Sequence, residues 1–484
     1  SETRYWSARL RPKQRSKAME VSSPISGRVE ALKPDALKRN APAGAPTPQR
    51  SATSTTSVRL PLQFMIVGLL ALFTGVGWLA ARPDILAGSR YAPDAVALTH
   101  LFVLGWLCSV VMGAVYQLVP VALETKLYSE RLARWQFAFH VAGFAGMVFM
   151  FKTWNMKWLG YFGALLTAGM VLFAYNLART LLRVPRWNVI ATGVTSALAW
   201  LVFTAAAGLL LIAEQRGWPP VSRLNPIAAM NAHAHLGAIG FLTALIVGVS
   251  YKLVPMFTLG EIQNHRRATA SVLLLNFGLA GLFFGILLQK PWKLVFALLI
   301  IAALALHGCE LRAILRARKR RVVDWGVTYF LTAIGMLLPL SILAIALCWP
   351  RLPMNEFTAR LENVYGYLGF IGFVSFAILG MLYKIIPFLI WFGVYSKHIG
   401  RARVPALAAM YSDRLQAVGY WTYLAALLAT VLAMLFANST GVRVGCGLLC
   451  LSLAVFGWNA GKILSHYFRP QLTPLKINKK TTGL

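Results

Sequence analysis

Residues 231–257 read NAHAHLGAIGFLTALIVGVSYKLVPMF, which places His233 and His235 near the start of an almost uninterrupted apolar run. Imidazoles at such depth are rare; by default they face the protein interior and act there. A third histidine, His100, opens a run of the same kind, THLFVLGWLCSVVMGAVYQLVP. Two neutral imidazoles at equal depth on different helices suit bis-histidine ligation of a haem iron, because the porphyrin fills an apolar cavity and takes one axial nitrogen from each face. Carboxylates are almost absent from the apolar runs, which counts against a proton- or sodium-coupled transporter.

Other candidate ligands carry less weight. For His140 and His307, a ligand role and that of a polar residue satisfied between helices both stay open; His307 precedes Glu310 and Arg312, close to the end of its run. His265 and His398 lie in basic loops and His466 follows the last run, so solvent or lipid headgroups account for them. Five cysteines form no CxxC pair, which points away from disulfides, zinc and attached c-type haem. Cys446 and Cys450, four apart, read as packing residues.

The elements that must position these residues are membrane helices. Of 484 residues, 58% are hydrophobic and only 13% charged, far outside the range of a water-soluble domain of this length. A formal charge of +33 would suggest nucleic acid in a soluble protein, but here Lys and Arg lie mainly in the tails and connections and read as topology signals and contacts to anionic lipid. No nucleic-acid partner is expected. A spanning helix needs about 20 apolar residues. Twelve stretches qualify: 61–81, 93–122, 135–151, 158–178, 190–213, 227–257, 269–289, 292–311, 325–349, 363–394, 416–437 and 442–463. The organisation expected is a basic tail over 1–58, a transmembrane domain over 59–466 and a basic tail over 467–484. Connections after even-numbered stretches hold most of the basic residues, Arg316 to Arg321 among them, so the positive-inside rule puts both termini in the cytoplasm.

An internal repeat runs through the chain. The second stretch, the sixth (AHLGAIGFLTALIVGVSYKLVP) and the tenth (GYLGFIGFVSFAILGMLYKIIP) align without gaps. His100, His235 and Tyr367 coincide, as do Gly105, Gly240 and Gly372; Gly113, Gly248 and Gly380; Tyr116, Tyr251 and Tyr383; and Pro120, Pro255 and Pro387. The copies are separated by 135 and 132 residues, so the fold expected is all-α, with about 12 transmembrane helices in three pseudo-repeats of four. On an α-helical wheel the two shared glycines fall at about 140° and 220° from the first aligned residue, forming a small-residue seam on the opposite side. His100 and His235 then face the enclosed space, and His233 points the other way at about 160°. The shared helix face favours His235 as the partner of His100.

With twelve spans, a threefold repeat and the second-span histidine of THLFVLGW, the chain resembles the haem-copper oxidase subunit I superfamily, in particular cbb3-type, nitric-oxide-reductase-like and NnrS-like membrane haem proteins. The resemblance covers about 60 to 465 at the level of architecture. It implies that His100 ligates a low-spin haem. In the family an HxH motif lies on the tenth span; here HAH is on the sixth, and the tenth carries Tyr365 and Tyr367. The family's copper ligands are one histidine on the sixth span and an adjacent pair on the seventh, and this chain has no His-His dipeptide. No copper site is identified, so oxygen reduction at a haem-copper centre is not expected.

The function expected is that of a haem b-binding subunit of a bacterial inner membrane, with His100 and His235 as axial ligands and His233 as the candidate for a second pocket. It would transfer electrons, or handle oxygen or nitric oxide, in a respiratory-type complex with other membrane subunits, taking electrons from a cytochrome c or a quinol. One haem b is implied, or two if the second pocket is filled; were the chain an enzyme, it would be an oxidoreductase subunit. The alternative is a transporter or a structural subunit that reuses the fold without haem.

Overall fold

The computed structural model describes residues 58–215, 224–399 and 401–474. Residues 1–57 of the expected tail, and the last ten of the other, lie outside the described residues. Among the described residues twelve long helices follow one another: α1 Arg59–Ala81, α2 Pro93–Ala122, α3 Glu130–Lys152, α4 Met156–Leu181, α5 Val189–Gln215, α6 Pro226–Thr258, α7 His265–Leu287, α8 Lys293–Arg316, α9 Trp325–Cys348, α10 Glu356–His398, α11 Asp413–Leu435 and α12 Ser439–Phe468. Eleven are long and apolar enough to cross a membrane. The exception is α3, whose apolar stretch is diluted by Glu130, Arg131 and Arg134 in its opening turns and by Gln136, His140 and Lys152 further on. The chain is an all-α polytopic membrane protein.

The repeat is visible in the packing. In α2, α6 and α10, 83%, 78% and 83% of the apolar window is buried, against 17% to 50% for the other spans. The second helix of each repeat therefore stands at the centre. Each is met by the first helix of its own repeat, α1 on α2, α5 on α6 and α9 on α10. At Gly248 this approach leaves no room for a side chain, because an added Cβ would stand 2.9 Å from the Cα of Gly193 on α5. Its sister Gly380 meets the Gly326 carbonyl of α9 in the same way, at 2.6 Å, so the expected small-residue seam exists and its partner is the preceding helix.

Each central helix also changes hydrogen-bond register at the same place. The segments Leu101–Cys108, Leu236–Thr243 and Leu368–Ser375 are π-helical, and each begins one residue after His100, His235 or Tyr367. Such segments are rare inside α-helices and concentrate at functional sites. The π segments of α2 and α6 both contact that of α10, and Trp106 Nε1 donates to Ser375 Oγ at 2.9 Å across that centre.

The third and fourth helices of each repeat form a hairpin held by a buried clasp. Asn176 Oδ1 accepts from Ser129 N at 3.0 Å, and Asn176 Nδ2 donates to Ser129 O at 2.8 Å. Asn459 treats Ser412 identically, at 2.9 and 3.1 Å. In the middle repeat Glu310 takes that place, accepting from Gln263 N at 2.6 Å and Asn264 N at 3.0 Å, with Arg267 Nη2 at 2.6 Å. Ser129, Asn264 and Ser412 are themselves the N-caps of α3, α7 and α11, so each clasp satisfies the backbone at a helix start.

Two elements depart from expectation. α9 is broken at Met336, between Trp325–Gly335 and Leu337–Cys348. Pro339 supplies the cause, having no N–H for the Gly335 carbonyl four residues back. At the chain end α12 continues to Phe468, and Thr473 pairs with Arg403 in a two-residue antiparallel ladder. His466 is consequently buried instead of facing solvent or headgroups, with its Nδ1 2.7 Å from the Tyr395 hydroxyl.

Candidate functional site

His100 and His235 close the α-helical turn that precedes each π segment, and their local geometry is the same. His100 Nδ1 lies 2.8 Å from the Val96 carbonyl, and His235 Nδ1 lies 2.8 Å from the Asn231 carbonyl, four residues back in each case. A carbonyl can only accept, so Nδ1 carries the proton and donates in both rings. The lone pair is thereby fixed on Nε2, which has no hydrogen-bond partner among the described residues in either ring. Both rings are half-buried, while Ala97, Leu98, Leu101 and Phe102 around His100 are buried. This is the donor state and orientation an axial haem ligand needs: an oriented neutral imidazole, its second nitrogen tied to a backbone carbonyl.

The structure does not bring the His100 and His235 rings together. The His100 ring stacks on Phe151 of α3, with centroids 4.3 Å apart, and the His235 ring stacks on Tyr365 of α10, at 6.0 Å. The His235 ring thus meets α10 of the next repeat, whereas the His100 ring meets α3 of its own. Tyr365 stands two positions before Tyr367, as His233 stands two before His235. His233 lies against Gly208 of α5, and its buried Nδ1 lacks a partner among the described residues. The two histidines of the HAH motif thus have different neighbours. Tyr365 was legible only as the counterpart of His233 in the YGY of the tenth span.

His140 and His307 belong to other surroundings. His140 Nε2 pairs with Ser109 Oγ at 3.0 Å, the arrangement of a polar residue shared between α2 and α3. His307 is fully buried with neither ring nitrogen paired. Its ring meets Tyr251 edge-on at 5.1 Å, where the sister repeats pack Phe173 on Tyr116 at 5.2 Å and Phe456 on Tyr383 at 4.9 Å. His307 therefore occupies a phenylalanine position of the repeat. His307→Phe restores the sister packing and removes two unpaired buried nitrogens, so the melting temperature in detergent should hold or rise, equivalent to about 1 kcal/mol; a clear fall would mean that the imidazole has a partner within the bundle.

No known family profile matches the sequence, and no curated protein matches it. Among solved structures, the chain is similar to one from a heme-copper terminal oxidase dimer determined by cryo-EM, with a TM-score of 0.65 and 12% sequence identity. The match covers 86% of this chain and 85% of that one, and at this identity it establishes the fold. The helical frame that carries His100, His233 and His235 is thus similar in fold to a chain of that oxidase.

Proposed function

We propose that this protein is a haem b-binding subunit of a respiratory-type membrane complex, seated in a bacterial inner membrane with both termini on the cytoplasmic side, and that it transfers electrons or handles oxygen or nitric oxide. The observation that carries the reading is the matched geometry of His100 and His235, each with Nδ1–H tied to the carbonyl four residues back and Nε2 left to ligate. His100 would supply one nitrogen to the iron. If His233 faces His100 as its third-copy counterpart Tyr365 faces His235, His233 would supply the other and His235 would line a second pocket with Tyr365. A haem held this way would supply one-electron redox chemistry. The polypeptide excludes water, orients the imidazoles through their backbone acceptors and keeps them neutral in apolar surroundings. A cytochrome c or a quinol would deliver the electrons, and other membrane subunits would complete the assembly.

The test is a reduced-minus-oxidised absorption spectrum of the purified protein with a pyridine haemochrome assay on the same sample. Sharp b-type bands at one haem per chain, or two if the His235 pocket is filled, are the expected outcome, and carbon monoxide then reports an open coordination position. A colourless preparation from haem-replete cells overturns the proposal and leaves a transporter or structural subunit of the same fold.

A further inference from the structure

A groove of about 400 Å³ opens between α8 and α9. Its walls are Leu311, Leu331 and Ile334. Its floor is bare at Gly308 and Gly335, where an added Cβ would meet nothing within 4 Å. Arg312, Arg316 and Arg318 stand at the mouth. No acidic side chain lines the groove, and the nearby carboxylates are committed elsewhere, Glu310 to Arg267 and Asp324 to Arg320 and Lys384. Arg318 is held with Nη1 donating to the Leu315 carbonyl at 2.6 Å and Nη2 to the Arg321 carbonyl at 3.4 Å, while its Nε is buried without a partner. A buried guanidinium N–H in a carboxylate-free groove calls for an acceptor from outside the chain.

We propose that this groove binds one anionic phospholipid, its phosphate on Arg312, Arg316 and Arg318 and an acyl chain laid over Gly308 and Gly335. The depth fits. Gly308 lies about 12 Å below Arg316 along α8, and Gly335 about 15 Å below the start of α9, so the bare floor sits in the hydrocarbon layer when the arginines are level with headgroups. Three arginines supply the planar, charge-assisted donors that phosphate prefers. A free phosphate would use the arginines alone and leave the apolar floor uncovered.

Native mass spectrometry of the intact protein in detergent tests this with phosphatidylglycerol and phosphatidylcholine of the same chain length, with and without excess inorganic phosphate. The wild-type protein should retain one phosphatidylglycerol in preference to phosphatidylcholine, and inorganic phosphate should not displace it. The triple variant R312Q/R316Q/R318Q and the filled variant Gly308→Leu with Gly335→Leu should each lower retention at least tenfold. The filled variant starts each new side chain where a Cβ meets nothing within 4 Å. Equal retention of the two lipids, or unchanged retention in both variants, overturns the proposal. Displacement by phosphate with no effect of filling the floor assigns the arginines to a free anion and overturns the lipid site.

Discussion

His100→Ala should strip the low-spin b-type bands of the proposed haem from the purified protein and lower haem per chain at least tenfold. The expected size follows from the chemistry: alanine offers no lone pair, no water in an apolar pocket replaces an imidazole tethered to Val96, and the remaining histidine holds iron from one side only. His233→Ala should match it, whereas His235→Ala should keep the low-spin bands and change only what carbon monoxide reports. Were His235→Ala to abolish the low-spin bands and His233→Ala to spare them, the axial pair would be His100 and His235. Full haem retention in His100→Ala would remove His100 from the ligand set altogether. Absorbance and haemochrome content of the three variants decide among these outcomes.

The second large effect belongs to Glu310, where one side chain satisfies the start of α7. Glu310→Ala leaves the N–H groups of Gln263 and Asn264 and the Arg267 guanidinium without their acceptor in a fully buried position. Breaking a buried charge pair by removing one partner costs about 3–5 kcal/mol. Because Arg267 is 30% exposed and can turn toward water, the loss expected is about 2–4 kcal/mol, read as a lower unfolding midpoint in detergent. Glu310→Asn introduces the side chain that Asn176 and Asn459 already use for the same task. It should recover at least half of the loss, and if it behaves as badly as alanine, the three clasps are not interchangeable.

Much of the fold was legible because it is written in repeated residues. The aligned glycines, tyrosines and prolines located the three central helices, and the hydropathy of the runs located their neighbours. What could not be read was the π register after His100, His235 and Tyr367, since nothing in LFVLGWLC, LGAIGFLT or LGFIGFVS departs from an ordinary α-helical composition. A wheel drawn at 100° per residue therefore keeps its phase only up to the histidines. It gave correctly that His233 and His235 point to different sides, both lying before the register change. On partnership, the shared face names His235, whose ring stacks on Tyr365 of α10. His466 was misread for a simpler reason: its position past the apolar run said nothing of Tyr395, 71 residues earlier in the chain, which buries it.

The clasps also bear on how such a chain could be assembled while it is being made. Ser129 and Asn176, Gln263 and Glu310, and Ser412 and Asn459 are each 47 residues apart. The polar anchor of every hairpin is thus local, and a helical pair can lock as soon as its own second helix has entered the bilayer, before the next repeat is synthesised. Contacts of short sequence separation form early because little chain entropy opposes them. The pairs proposed where the histidines stand, His100 with His233 and His235 with Tyr365, are 133 and 130 positions apart and would close last. On this order the chain would pass through a stage in which its hairpins are already rigid while the boundaries that hold the histidines are still open, and that stage would be the natural moment for the proposed haem to enter.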